Sequence, residues 1–197
     1  MGASDIPAEH LVPSPVVVIG AGPCGLAAAI ALKQAEIPAV VFEQGCLVSS
    51  ISQYPTYITF FSSADKISIG DVPFPIAGEK PTRQEAMAYY RSATTRFALD
   101  VRQYERVVDV RRDGEGFVVA TEPQGGERRE MRARAVVVAT GYFGTPNRLG
   151  VPGENLPHVT HFFREGHDGF QQDVVVVGGG NSAVEAALDL YRCGARA

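Results

Sequence analysis

Apolar residues in this chain come in short, dense blocks rather than in long periodic runs. Residues 16–19, 39–42, 135–139 and 174–177 are apolar at every position. Strands apolar on both faces belong to parallel sheets covered by helices. Residues 26–36, rich in Ala and Leu, predict a helix between the first two blocks, ended by Pro38. Strand, helix and strand form a βαβ unit. Residues 45–81 show no clear period and carry Pro55, Pro73, Pro75 and Pro81, the mark of a functional loop or lid. Thr82 and Glu85 form a capping box that starts a helix to about Phe97.

Beyond it, 101–104 reads as a short strand. Residues 106–112 and 117–121 flank Asp113-Gly114, a hairpin signal. Gln124-Gly125-Gly126 turns the chain into 127–134, completing an antiparallel meander. A Gly- and Pro-rich link covers 141–157. A second unit opens with the strand 174–177 and a helix from Asn181 to about Cys193. That helix presents Ala183, Val184, Ala187, Leu188 and Tyr191 on one face suited to a sheet. The single strand 174–177 cannot cover it, so the segment 158–197 is expected to be mobile, misdocked on the first domain or paired with another copy. The fold class is α/β. It is expected to comprise a Rossmann-like domain with an antiparallel meander, then the start of a second Rossmann-like domain. The divisions are an arm over 1–15, a first domain over 16–150 and an incomplete second domain over 158–197.

Two glycine-rich turns carry the chemistry. Gly20, Gly22 and Gly25 match G-x-G-x-x-G after a buried strand and before a helix. The first glycine makes the tight turn, the second lets backbone reach a pyrophosphate, and the third lets helix approach strand. The anion sits on the helix N-terminus. Glu43, 18 residues after Gly25, ends the next strand, where a carboxylate would meet ribose hydroxyls. Gly178, Gly180 and Ala183 repeat the pattern in its G-x-G-x-x-A form. Two such turns imply two cofactors. A nicotinamide delivering hydride to a flavin is the usual logic.

Composition narrows this picture. With 197 residues, 45% hydrophobic and 20% charged, the chain is long enough to bury a core. The formal net charge of −4 argues against nucleic acid as a partner. Arg128, Arg129, Arg132 and Arg134 alternate with Glu127 and Glu130, as on a solvated strand. The longest apolar run, 26–32, is far too short for a bilayer, so neither a membrane span nor a secretory signal is expected. Cys24, Cys46 and Cys193 form no CxxC pair, so no metal site is expected and a reducing cytoplasm fits. Cys24 opens a helix, where the dipole favours a thiolate; the other reading is a small residue filling a tight turn. A homo-oligomer is compatible with the sequence.

Several motifs carry a family resemblance: 20–26 (GAGPCGL), 54–56 (YPT), 59–62 (TFFS), 69–70 (IG) with 72–74 (VPF), 80–85 (KPTRQE), 150–154 (GVPGE) and 178–188 (GGGNSAVEAAL). They resemble the flavoprotein disulfide reductases with two dinucleotide domains. Within that group they are similar to the bacillithiol disulfide reductases, relatives of thioredoxin reductase. The resemblance covers nearly the whole chain after residue 15. It implies FAD on the first turn, at Gly20, Gly22, Pro23, Cys24 and Gly25, with Glu43 and its neighbour Gln44 at the adenosine ribose. Gln53 would lie near the flavin chain, and Ala139, Thr140 and Gly141 would close the site. It implies NADPH on the second turn, at Gly178, Gly180, Asn181, Ser182 and Ala183. Cys24 falls on the family's cysteine and is the candidate catalytic residue toward a small-molecule disulfide.

Two departures matter. The redox CxxC of thioredoxin reductases is missing from 158–173. Family members also run well beyond position 197, so the chain reads as a fragment. On its own it is expected to be inactive, with the residues that distinguish NADPH from NADH lying further on. His158, His161 and His167, among Phe162, Phe163 and Phe170, partly resemble the linker of flavin monooxygenases. A flavin monooxygenase and a non-catalytic FAD-binding fragment are therefore the alternative readings.

Overall fold

A computed structural model describes residues 14–197. Most of the expected arm over 1–15 therefore lies outside the described residues. In chain order the elements are β1 (Val16–Ile19), α1 (Pro23–Gln34), β2 (Ala39–Glu43), α2 (Ser49–Ser52), α3 (Ala64–Ile67) and α4 (Arg83–Arg96). Then follow β3 (Val101–Gln103), β4 (Glu105–Asp113), β5 (Gly116–Pro123), β6 (Arg129–Ala133), β7 (Ala135–Val138) and α5 (Asn181–Arg192). A 3-10 turn spans Gly166–Gly169. The chain groups into two compact units, residues up to 47 with 93–140, and 48–92 with 141–197.

The first unit is built on a parallel sheet of order β3-β2-β1-β7. Val17 faces Val40 on one side and Val136 on the other. The β-branched blocks form this sheet because both of its faces are covered, and Val17 and Val18 are fully buried. The antiparallel sheet β4-β5-β6 is the expected meander. Its core joins that of the parallel sheet: Val17, Val40 and Phe42 cluster with Val119 and Ala133. Helix α1 begins at Pro23, three residues before the expected start. Proline suits the first helical position, where its fixed φ is helical and no N–H is needed. The helix ends at Gln34, before Pro38, as Glu36 turns to a left-handed φ of 57°.

In the second unit, the capping box of α4 forms as expected. The Thr82 amide donates to Glu85 at 2.8 Å and the Glu85 amide to the Thr82 hydroxyl at 3.3 Å. These bonds hold the Glu85 carboxyl below the usual glutamate range. The segment 45–81, which has no clear period, contains α2 and α3, each of four residues. The hydroxyls of Tyr89 and Tyr90 donate to the carbonyls of Val72 and Ile67 and so pin part of this segment.

One expectation for the end of the chain is corrected. Residues 174–177 form no strand; the pairing there is a single parallel bridge between Asp173 and Arg196. The valines alternate in exposure as a strand would, but no ladder among the described residues takes up their backbone groups. The apolar face of α5 packs on no sheet among the described residues. Ala186 and Leu190 are buried, while Val184, Leu188 and Tyr191 are exposed. The reason is the 3-10 turn, which packs on α5 with Gly166 against Asp189 and Cys193 and Gly169 against Leu190.

Candidate functional site

The first glycine turn divides into positions that the protein's own packing dictates and one that it does not. Gly20 has φ 105°, and a Cβ there would lie 2.4 Å from the Ala139 carbonyl oxygen. A Cβ at Gly25 would lie 1.9 Å from the Gly20 oxygen. Gly20 must be glycine for the turn to pass the end of β7, and Gly25 for α1 to close on the end of β1. Gly22, the N-cap of α1, is different: its φ is −77°, and a Cβ there would meet nothing within 4 Å. The bare space beside Gly22 lies at the N-terminus of a 12-residue helix with no acidic residue in its first turn. Free N–H groups and the helix dipole favour an anion there.

Glu43, at the end of β2, is only 5% exposed. One of its oxygens accepts the Ala21 amide and the other the Gly45 amide, both at 2.9 Å. The carboxylate thus ties the strand end to the glycine turn. Gln44 beside it is exposed. Cys24, the second residue of α1, is exposed and free, whereas Cys46 and Cys193 are partly covered. Ala139 follows β7, and its amide donates to the Ile19 carbonyl at 2.8 Å, which fixes it and Thr140 beside the turn. The first unit therefore brings together Gly20, Gly22, Pro23, Cys24, Gly25, Glu43, Ala139 and Thr140.

The remaining candidates belong to the second unit. Gln53 caps the C-terminus of α2. Gly141 has φ 66°. Gly178, at φ 148°, would bring a Cβ to 3.2 Å from that of Ala183, whereas Gly179 and Gly180 face open space. Gly180 is the N-cap of α5, and Asn181, Ser182 and Ala183 form its first turn, again without an acidic residue. The residues of both turns fit a dinucleotide phosphate, on the same ground of bare backbone at an uncompensated helix start.

Some features here are not foreseen from the sequence. The Ala21 and Gly45 amides act through backbone alone; the one available signal is Gly45, two residues after Glu43. Gly166 and Gly169, spaced for one turn, hold the start of the second unit's packing. In the link, Glu154 accepts the amides of Leu149 at 2.9 Å and Gly150 at 2.7 Å, and His161 Nε2 lies 3.0 Å away. The His161 contact first, then the amides, hold the Glu154 carboxyl down at about 2.

Comparison with known proteins places this geometry. The family described as pyridine nucleotide-disulphide oxidoreductase matches residues 17–197. The chain belongs to this family. Among the family's relatives, the bacilliredoxin reductase Bdr of Bacillus subtilis (strain 168) is 46% identical over 181 residues, 91% of this chain and 54% of that protein. The solved bacillithiol disulfide reductase Bdr of Bacillus cereus is 49% identical with a TM-score of 0.91, over 93% of this chain and 57% of that one. A flavin monooxygenase from Stenotrophomonas maltophilia is more distant, at 28% identity and TM-score 0.76, over 92% of this chain and 55% of that one. The chain spans about half the length of the curated relatives it matches. As a member of this family, it carries in its first unit the parallel sheet and glycine turn that the sequence leads one to expect. Among the described residues, no helix is long and apolar enough to cross a membrane.

Proposed function

We propose that this chain is part of an FAD-dependent, NADPH-linked oxidoreductase that reduces a low-molecular-weight disulfide of the bacillithiol type. The observation that carries the cofactor reading is Gly22: bare backbone at the start of α1, with no packing reason for a glycine. FAD would be held at Gly20, Gly22, Pro23, Cys24 and Gly25, with Glu43 toward the ribose; the family resemblance adds Gln44, Gln53, Ala139, Thr140 and Gly141 to the FAD-binding set. The nicotinamide cofactor would lie on Gly178, Gly180, Asn181, Ser182 and Ala183. Bound flavin would accept hydride from nicotinamide and store two electrons for the disulfide. Cys24, exposed at the helix start, is the residue we assign to the attack on sulfur. Its thiolate would break the disulfide, expel one thiol and form a mixed disulfide. The mixed disulfide would be cleaved by the two electrons held on reduced flavin, releasing the second thiol and restoring Cys24, with protons taken from solvent.

The substrate class rests on the names of the relatives at 46% and 49% identity. The more distant monooxygenase supports a second reading, in which reduced flavin meets oxygen. Three free cysteines support a reducing compartment such as the cytoplasm. The test is NADPH oxidation by the full-length protein of which this chain is part. Stoichiometric dependence on a bacillithiol-type disulfide is expected; dependence on oxygen with substrate hydroxylation would favour the monooxygenase.

A further inference from the structure

Gln103 is the last residue of β3, and in the parallel sheet it stands in register with Glu43, the last residue of β2. Ligands of open α/β sheets lie beyond the carboxyl ends of the strands. Both side chains hold the segment that follows β2. Glu43 accepts the Gly45 amide at 2.9 Å, and Gln103 Oε1 accepts the Leu47 amide at 2.6 Å. The backbones close the same gap, as the Tyr104 amide donates to the Gly45 carbonyl at 3.0 Å. Tyr104 does so at φ 57°, a left-handed conformation that bulky side chains rarely adopt. Glu43 also accepts the Ala21 amide, so this cluster adjoins the glycine turn. All of its residues belong to the first unit.

The Leu47 contact fixes which way the Gln103 amide points. A backbone N–H needs an acceptor, so Oε1 faces Leu47 and Nε2 faces away. Gln103 is exposed, and its Nε2 has no hydrogen-bond partner among the described residues. The bond to Leu47 is itself exposed, so water would serve that amide about as well, while ordering a glutamine side chain costs entropy. What the arrangement secures is direction: two N–H donors of fixed orientation at the strand end beside Glu43.

We propose that Gln103 is a further dinucleotide-binding residue, whose Nε2 donates to a hydroxyl oxygen of the adenosine ribose of FAD. This rests on the FAD reading above, in which Glu43 meets that ribose by its spacing from the glycine turn. A ribose hydroxyl both donates and accepts; Glu43 supplies acceptors alone, and Gln103 Nε2 supplies donors alone. Neighbouring strands stand about 4.8 Å apart, close enough for one ribose diol to meet both strand ends.

The test titrates the chain and its Gln103→Glu and Gln103→Met variants with FAD and with an FAD analogue lacking both hydroxyls of the adenosine ribose, read by flavin fluorescence. Gln103→Glu keeps the acceptor for Leu47 and removes the donor; Gln103→Met removes both. In ligand-free protein the Leu47 amide should exchange hydrogen as in the parent in Gln103→Glu and about tenfold faster in Gln103→Met, the change expected from losing about one hydrogen bond. FAD affinity should fall about tenfold in both variants. The parent should bind the analogue at least about tenfold more weakly than FAD, and the further loss in Gln103→Glu should then shrink to about twofold, the non-additivity of groups in contact. An equal loss for the two ligands would make Gln103 a holder of the segment after β2, or the added charge the cause, and would overturn the proposal. FAD affinity unchanged in Gln103→Glu would overturn it as well. A parent chain that binds no FAD would instead bring down the cofactor reading, whatever the exchange data show.

Discussion

The Glu43 carboxylate accepts the Ala21 amide at 2.9 Å across 22 residues of sequence, joining the end of β2 to the middle of the glycine turn. The residue expected to read a ribose therefore already has work in the ligand-free fold. Glu43→Gln keeps one acceptor oxygen but replaces the other with an amine that faces a backbone N–H. Both the turn and the ribose contact should suffer. Thermal unfolding of the ligand-free chain should show a loss of about 1–3 kcal/mol, the cost of an unsatisfied buried donor. FAD affinity should fall further still.

Gly25 and Gly22 should respond differently to the same substitution. Gly25→Ala places a Cβ 1.9 Å from the Gly20 oxygen, so α1 must move off β1. A stability loss of about 1–3 kcal/mol is expected, as for overpacked sites, and denaturant unfolding measures it. Gly22→Ala meets no protein atom within 4 Å and should lose no more than the roughly 1 kcal/mol of a poorer N-cap.

Of the three thiols, Cys24 is the exposed one. It should be alkylated first, and peptide mass spectrometry of iodoacetamide-treated protein reads the order directly. Added FAD should slow its modification and leave Cys46 and Cys193 unaffected. Cys24→Ser should keep flavin binding and, in the full-length protein, abolish disulfide turnover. Equal labelling with and without FAD would move Cys24 away from the proposed site.

The Glu154 carboxyl has a folded value of about 2 against an ordinary 4.5. A lowered folded value means that the group favours the fold above about pH 4.5. That contribution disappears as pH falls toward about 2. Carboxyl NMR should show Glu154 titrating near 2. Glu154→Gln should flatten the acid limb of stability between these two values while leaving neutral pH behaviour to the remaining contacts.

Much of the first unit was legible because its signals are local. Blocks such as 16–19 and 39–42 are apolar on both faces, and Asp113-Gly114 marks a hairpin whatever surrounds it. The boundary of α1 was less legible: Pro23 could be read as part of the loop, and the structure shows it as the first helical residue. The rest is nonlocal. Val174 to Val177 have strand composition, but a strand exists only with a neighbour to pair with. The buried stripe of α5 is chosen by Gly166 and Gly169, which no helical periodicity contains. Helices α2 and α3 are too short to show a period. At the candidate site the glycines and Glu43 were visible as side-chain identities, whereas Ala21 and Gly45 contribute only backbone amides and leave almost no mark in sequence.

The central claim is that the bare N-terminus of α1 beside Gly22 receives the FAD pyrophosphate. Flavin fluorescence titration of the purified chain with FAD, run in parallel on Gly22→Val, tests it most directly. A Cβ at Gly22 meets nothing within 4 Å, so the valine variant should fold, at a cost of about 1 kcal/mol for the poorer N-cap. The account predicts saturable FAD binding by the parent and none by this folded variant. FAD bound equally well by Gly22→Val would contradict it.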